Sequence, residues 1–228
     1  MKAMLFSDLI TARNSFPALL GITVFVAAFI AVGSGMTVAA VGCMAAMVPF
    51  MYLFSIAAYD EWNGWERFRL TLPLSRRQVA YGRYASMLVV TACALAFSLA
   101  IGLLIGAVAQ ALPAGVVPES LSLDEAGLPV LATAGMAAAL VVLLTSAVTL
   151  PLVMRFGMTS GTRLVPVVLV LAVAAGMVLL GGESTLDVDE LLTSAGPSMA
   201  MAVAAVVALA LYGASALLAA RLYEQREL

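Results

Sequence analysis

The sequence contains no histidine and only two cysteines among its 228 residues. Cys43 and Cys93 lie in apolar segments without metal-ligand spacing, which favours small apolar side chains over a disulfide or a metal site. A glycine-rich phosphate loop ending in Lys-Ser or Lys-Thr is also missing, so the chain is not expected to hydrolyse ATP by that route. No serine or threonine of the apolar segments has a plausible base beside it. We therefore predict no catalytic residue, metal or cofactor in this chain.

Charged residues are scarce as well. They make up 11% of the sequence and hydrophobic residues make up 64%, whereas soluble domains have roughly 25% charged and 45–50% apolar residues. The mean hydropathy is +1.10. This composition is typical of an integral membrane protein and gives no reason to expect a nucleic-acid partner.

Uncharged runs of membrane length predict an all-α integral membrane domain over residues 1–228. Residues 1–15 predict an amphipathic helix that lies in the interface before the first span. Gly33-Ser34-Gly35 divides the first uncharged run into two spans, and the third span is uncharged from Tyr84 onward. Because no ionisable side chain lies deep in a span, coupling by an internal proton relay is disfavoured. The six predicted spans are 16–33, 36–58, 79–110, 130–154, 164–181 and 198–220.

Basic residues set the predicted orientation, because in short loops they are retained on the cytoplasmic side. In the six-span layout all eleven fall on one side, and the loops of the opposite side carry seven acidic residues and no basic one. Both termini are therefore predicted to be cytoplasmic, as is the loop between spans two and three. The basic residues are Lys2, Arg13, Arg67, Arg69, Arg76, Arg77, Arg83, Arg155, Arg163, Arg221 and Arg226.

The loop between spans two and three holds both tryptophans of the chain. Read as a helix over 59–72, it places Trp62, Trp65, Phe68 and Leu72 on one apolar arc. Pro73 ends this helix, and Ser75 with Gln78 forms a capping box that starts the next one. The pattern fits either an amphipathic helix on the lipid headgroups or a docking helix for a cytosolic protein.

Two short motifs stand out in the predicted cytoplasmic segments. The loop between spans two and three reads Asp60-Glu61-x-x-Gly64-Trp65-Glu66, then Leu72-Pro73-Leu74-Ser75-Arg76, and Arg83-Tyr84 opens the next span. The turn before the fifth span reads Arg155-Phe156-Gly157. These motifs, with an interfacial helix followed by six spans, resemble permease subunits of type-2 ATP-binding-cassette (ABC) exporters.

The resemblance implies a coupling helix over 59–72 that fits a groove on a separately encoded ATPase subunit, which would hold ATP and Mg. It further implies a second permease subunit, as a homodimer or a heterodimer, in a bacterial plasma membrane. The exported substrate would be amphipathic or hydrophobic, such as a peptide or a drug. The predicted partner-binding residues are Asp60, Glu61, Trp62, Trp65, Glu66, Phe68 and Arg69.

Other interpretations stay open. The chain fits a non-transporting immunity or scaffold subunit whose cytoplasmic loop docks a regulatory protein, and it also fits a passive pore. Gly102 and Gly106 form a Gly-x-x-x-Gly pair in the third span that permits close helix contact, although such pairs arise by chance in spans rich in alanine and glycine.

Overall fold

The structure, a computed structural model, describes residues 2–13, 16–64, 75–111, 127–181 and 197–225. These ranges contain helices and short turns but no strand, which confirms the predicted all-α class for this part of the chain. The helices are α1 (Lys2–Arg13), α2 (Phe16–Ser34), α3 (Thr37–Trp62), α4 (Arg76–Ala111), α5 (Gly127–Gly181) and α6 (Pro197–Glu224).

Within the described ranges, five helices are long and apolar enough to cross a membrane, as the composition predicts. The predicted span at 164–181 lies in the last part of α5. The count of six spans and the cytoplasmic location of both termini stay predictions. Both cysteines are free, Cys43 half-buried and Cys93 exposed. The five membrane-length segments are Phe16–Gly33, Thr37–Trp62, Arg76–Ala111, Gly127–Ser160 and Met199–Glu224.

Local chemistry explains where α2 ends and α4 begins. Gly35 follows α2 with φ 65°, the left-handed conformation with which glycine commonly ends a helix. At the start of α4, Ser75 Oγ accepts a hydrogen bond from the Gln78 amide, and Gln78 Oε1 accepts one from the Ser75 amide, both at 3.3 Å. This reciprocal pair confirms the predicted capping box.

Helix α5 continues through the segment for which the sequence predicted a polar turn at 155–163. Only Gly157 leaves the helical conformation, with φ 81° and ψ 174°. Glycine has no Cβ, so it adopts these angles without a steric clash. The residues on either side of it remain helical. The predicted nine-residue turn is therefore replaced by an interruption at one residue.

The chain divides into two compact units, and each is described by itself. The first comprises Met1–Ile56 and Gly82–Val142. Its core contains buried small residues of α2 and α3 together with Met44, packed against partly buried side chains of α4 that include Phe97, Ile101 and Ile105. The buried small residues are Ala27, Ala31 and Ala40.

Glycines allow α3, α4 and α5 to approach closely within this first unit. A Cβ placed on Gly102 would lie 2.4 Å from Val41 Cγ2 and 3.0 Å from Leu131 Cδ2. One placed on Gly135 would lie 2.9 Å from Leu95 Cδ1. Gly102 of the Gly-x-x-x-Gly pair thus makes a close contact with other helices of the same chain.

The second unit comprises Ala57–Tyr81 and Leu143–Leu228. In this unit the Ser215 hydroxyl of α6 donates a hydrogen bond to the Ala147 carbonyl of α5. Most large apolar side chains of α6 are exposed, a surface that suits contact with lipid. They include Met199, Val203, Val206, Val207, Leu209, Leu211, Leu217 and Leu218.

Candidate partner-docking site

The predicted docking residues begin on the last turn of α3. Asp60, Glu61 and Trp62 end this helix, and Asn63 and Gly64 form the turn that follows. The structure therefore brings three of the seven predicted residues together at one helix end. The other four, Trp65, Glu66, Phe68 and Arg69, lie outside the described residues.

Hydrogen bonds close the end of α3. The Asn63 side chain and amide both donate to the Tyr59 carbonyl, at 2.9 and 3.2 Å, and the Gly64 amide donates to the Glu61 carbonyl at 3.4 Å. Gly64 has φ 63°. The sequence pattern placed Gly64 inside one helix over 59–72, but here Gly64 adopts the left-handed conformation that follows a helix end. The helix therefore ends at Trp62, and the remainder of the predicted segment beyond Gly64 lies outside the described residues.

The three described docking residues have different environments. Trp62 is 89% exposed, and Tyr59, three residues before it on the same face, is 43% exposed. Asp60 between them is buried, with 6% of its surface exposed. An indole this exposed beside a second aromatic ring is the kind of side chain that anchors protein interfaces.

The Glu61 side chain contacts α5. Its carboxylate accepts a hydrogen bond from the Thr159 amide at 3.0 Å and another from the Thr159 hydroxyl. Thr159 lies two residues after the interruption at Gly157, close to the start of the second helical part of α5. A carboxylate at this position also complements the positive end of the helix dipole.

Arginines surround the end of α6 in the second unit. Arg76 Nη1 donates to the Glu224 carbonyl at 3.0 Å and to the Tyr223 carbonyl at 3.4 Å. Arg155 Nη1 donates to the Leu222 carbonyl at 3.4 Å. Arg77 Nε forms an ion pair with the Glu224 carboxylate at 2.6 Å. These cations satisfy carbonyl groups that a helix end leaves unpaired.

A buried polar cluster in the first unit was missed by the sequence analysis. Asp8 of α1 is fully buried, and its Oδ2 lies 3.4 Å from Arg83 Nε and 3.3 Å from the Ser86 hydroxyl. The available signal was spacing, because Met4, Asp8 and Ala12 recur every four residues and all three are buried. The interfacial helix of the prediction thus uses one face to contact α4.

The chemistry of these clusters is that of ion pairing and helix capping. Among the residues that the structure describes, no three His, Cys, Asp or Glu side chains come together in a group that could hold a metal ion. The described part of the site consists of the exposed Tyr59 and Trp62 and of Glu61, whose carboxylate connects the end of α3 to α5.

Comparison with known proteins identifies the family. A model of the family described as ABC-2 family transporter protein matches residues 3–224. Searches of curated proteins and of solved structures found no match to this chain. The matched range extends from α1 to the end of α6 and includes every cluster described above. With its several apolar helices, the chain is a multi-pass protein of the cell membrane, and it belongs to the ABC-2 family of transporter proteins.

Proposed function

We propose that this chain exports an amphipathic or hydrophobic substrate, such as a peptide or a drug, driven by a separate ATPase subunit that docks on residues 59–72. Family membership makes the chain a permease subunit of an ABC transporter, and such a membrane component requires an ATPase partner. The direction of transport, the substrate class and the docking segment are our proposal. The proposed assembly contains two permease subunits and two ATPase subunits.

The exposed Trp62 is the observation that carries the docking segment. It lies at the end of a 26-residue apolar helix, 89% exposed, where the chain turns at Asn63 and Gly64. Tryptophan also occurs at the lipid headgroups, but here the helix end is fixed by bonds to the Tyr59 carbonyl and by the contact of Glu61 with Thr159. A docking surface that is held in place before binding loses less conformational entropy when the partner arrives.

Energy for transport has to come from the partner. The chain has no phosphate-binding loop of the Lys-Ser or Lys-Thr type and no ionisable residue deep in its predicted spans. We therefore place ATP and Mg in the ATPase subunit. A cytoplasmic protein that pushes on the end of α3 acts directly on a helix of membrane length.

The experiment is affinity purification of the tagged chain from membranes that also contain its cognate ATPase, sought among the neighbouring genes. The wild-type chain should retain the ATPase in detergent. Trp62→Ala should weaken binding at least tenfold, since truncating a central aromatic anchor typically costs about 2 kcal/mol or more. Trp65→Ala and Glu66→Ala should loosen binding or uncouple transport while leaving membrane insertion intact.

Phe29→Ala is the matched control, because Phe29 on α2 is also largely exposed but lies in an apolar segment of membrane length. It should leave ATPase retention unchanged. Retention of a regulatory protein in place of an ATPase would instead favour a scaffold or immunity subunit. A wild-type chain that retains no ATPase under conditions that preserve its fold would refute the proposal.

A further inference from the structure

Gly157 divides α5 at a conformation that side chains other than glycine adopt only with strain. Its φ of 81° and ψ of 174° lie far from helical values, although the residues on both sides are helical. Such a point is where two rigid helical parts can change their relative direction through rotation about few bonds. The interruption therefore has the local geometry of a hinge.

Different elements hold the chain on the two sides of this hinge. Before it, Arg155 of α5 donates to the Leu222 carbonyl at the end of α6. After it, the amide and hydroxyl of Thr159 both donate to the carboxylate of Glu61 at the end of α3. All of these residues belong to the second compact unit. The position of α5 after Gly157 is thus tied to α3, and its position before Gly157 is tied to α6.

Glu61 is also the immediate neighbour of the exposed Trp62. Both of its carboxylate oxygens accept a hydrogen bond from Thr159. Hydrogen bonds to a charged acceptor are stronger than those between neutral groups. The geometry thus gives Glu61 an intramolecular role between the end of α3 and α5.

We propose that Glu61 is a positioning residue that connects the docking end of α3 to the part of α5 after Gly157, so that a partner bound at Trp62 acts on this hinge. The identity of the partner as an ATPase rests on the proposed function. The connection itself does not, because it is made entirely by residues of this chain. Glu61 thereby links two segments that are predicted to share one side of the membrane.

Amide hydrogen exchange of the purified chain in detergent tests the connection first without a partner. Glu61→Gln keeps the size of the side chain but loses the charge and one of the two acceptor oxygens. Exchange in a peptide that covers 158–163 should become about tenfold faster, the effect of losing one charged hydrogen bond. Glu61 is exposed, so the variant is expected to fold.

Glu224→Gln is the matched control, since it removes another exposed carboxylate of the same unit, one that pairs with Arg77. It should leave exchange at 158–163 unchanged. Equal exchange in Glu61→Gln and the wild-type chain would overturn the connection, as would an equal acceleration by Glu224→Gln.

The second measurement adds the ATPase. Binding to the wild-type chain should change exchange at 158–163, whereas Glu61→Gln at a saturating ATPase concentration should show no such change. A Glu61→Gln variant that binds as weakly as Trp62→Ala would make Glu61 a docking contact and overturn the inference. If the wild-type chain binds no ATPase, the proposed function fails. If it binds but exchange at 158–163 does not respond, only this inference fails.

Discussion

Replacing Gly102 by alanine tests how closely α3, α4 and α5 pack in the first unit. The added Cβ would lie 2.4 Å from Val41 Cγ2 and 3.0 and 3.3 Å from the two Cδ atoms of Leu131. Favourable carbon contacts lie at about 3.5–4.0 Å, so Val41 must move by about 1 Å. A β-branched side chain has few rotamers in a helix with which to do so.

Two opposing effects determine how much Gly102→Ala changes the free energy of unfolding. Alanine is favoured over glycine in a helix by roughly 0.8–1.0 kcal/mol. Inserting a methyl group into a packed core typically costs about 1–3 kcal/mol. The control is Gly213→Ala on α6, where a Cβ meets no atom within 4 Å, so only the first effect applies. The two variants should therefore differ in the free energy of unfolding by about 1–3 kcal/mol, with Gly102→Ala the less stable.

The stabilities of the two variants are compared by thermal unfolding in the same detergent. For a chain of this size, 1 kcal/mol shifts the Tm by about 2–4 °C. Val41→Ala provides a second check, because it removes the methyl groups that the new Cβ would meet. The Gly102→Ala/Val41→Ala double variant should lose less stability than the sum of its single variants. If Gly102→Ala were as stabilising as Gly213→Ala, the close packing at Gly102 would be refuted. Loss of dimerisation with unchanged monomer stability would instead place Gly102 between subunits.

Two further substitutions address the buried cluster and the hinge. Asp8→Ala should destabilise the chain by about 3–5 kcal/mol, because it leaves the buried Arg83 without its carboxylate. Thermal unfolding measures the loss, and an Asp8→Ala/Arg83→Ala double variant as unstable as the sum of both single variants would show that the pair is not coupled. Gly157→Ala should cost roughly 1–3 kcal/mol through backbone strain, whereas Gly21→Ala in α2, where a Cβ meets nothing within 4 Å, should not destabilise the chain. Equal stabilities of these two glycine variants would contradict the strained conformation.

Helix boundaries were predictable from the sequence where neighbouring residues decide them. Ser75 and Gln78 are three residues apart, and their reciprocal hydrogen bonds depend only on the local backbone. Gly35 likewise ends α2 through its own conformation. The segment at 155–163 was predicted as a turn because its polar residues indicate exposure to water. In the structure these residues are helical on either side of Gly157.

Contacts between distant residues were not predictable in the same way. Asp8 lies 78 residues from Ser86, and Glu61 lies 98 residues from Thr159. Composition and periodicity describe one helix at a time, whereas these pairs depend on which helices become neighbours. Charged side chains are rarely buried unless they are paired. The burial of Asp8 could therefore be predicted only by someone who already knew that Arg83 lies beside it.

The docking residues show a similar limit. The sequence grouped Asp60, Glu61 and Trp62 by their position in one polar loop. Successive residues on a helix point about 100° apart, so Asp60 is buried, Glu61 contacts Thr159, and Trp62 is exposed. The loop was found from its composition, but the separate roles of its members required the fold.

The arginines at the end of α6 have a consequence for topology engineering. Arg76, Arg77 and Arg155 belong to the set whose distribution predicts which way the protein inserts, and in the folded chain they bind the last carbonyls and the carboxylate of a helix. The same cations thus have a predicted role in membrane insertion and an observed one in the folded chain. Variants that relocate them to invert the insertion will also leave the final turn of α6 uncapped, so poor folding of such variants is no measure of misorientation.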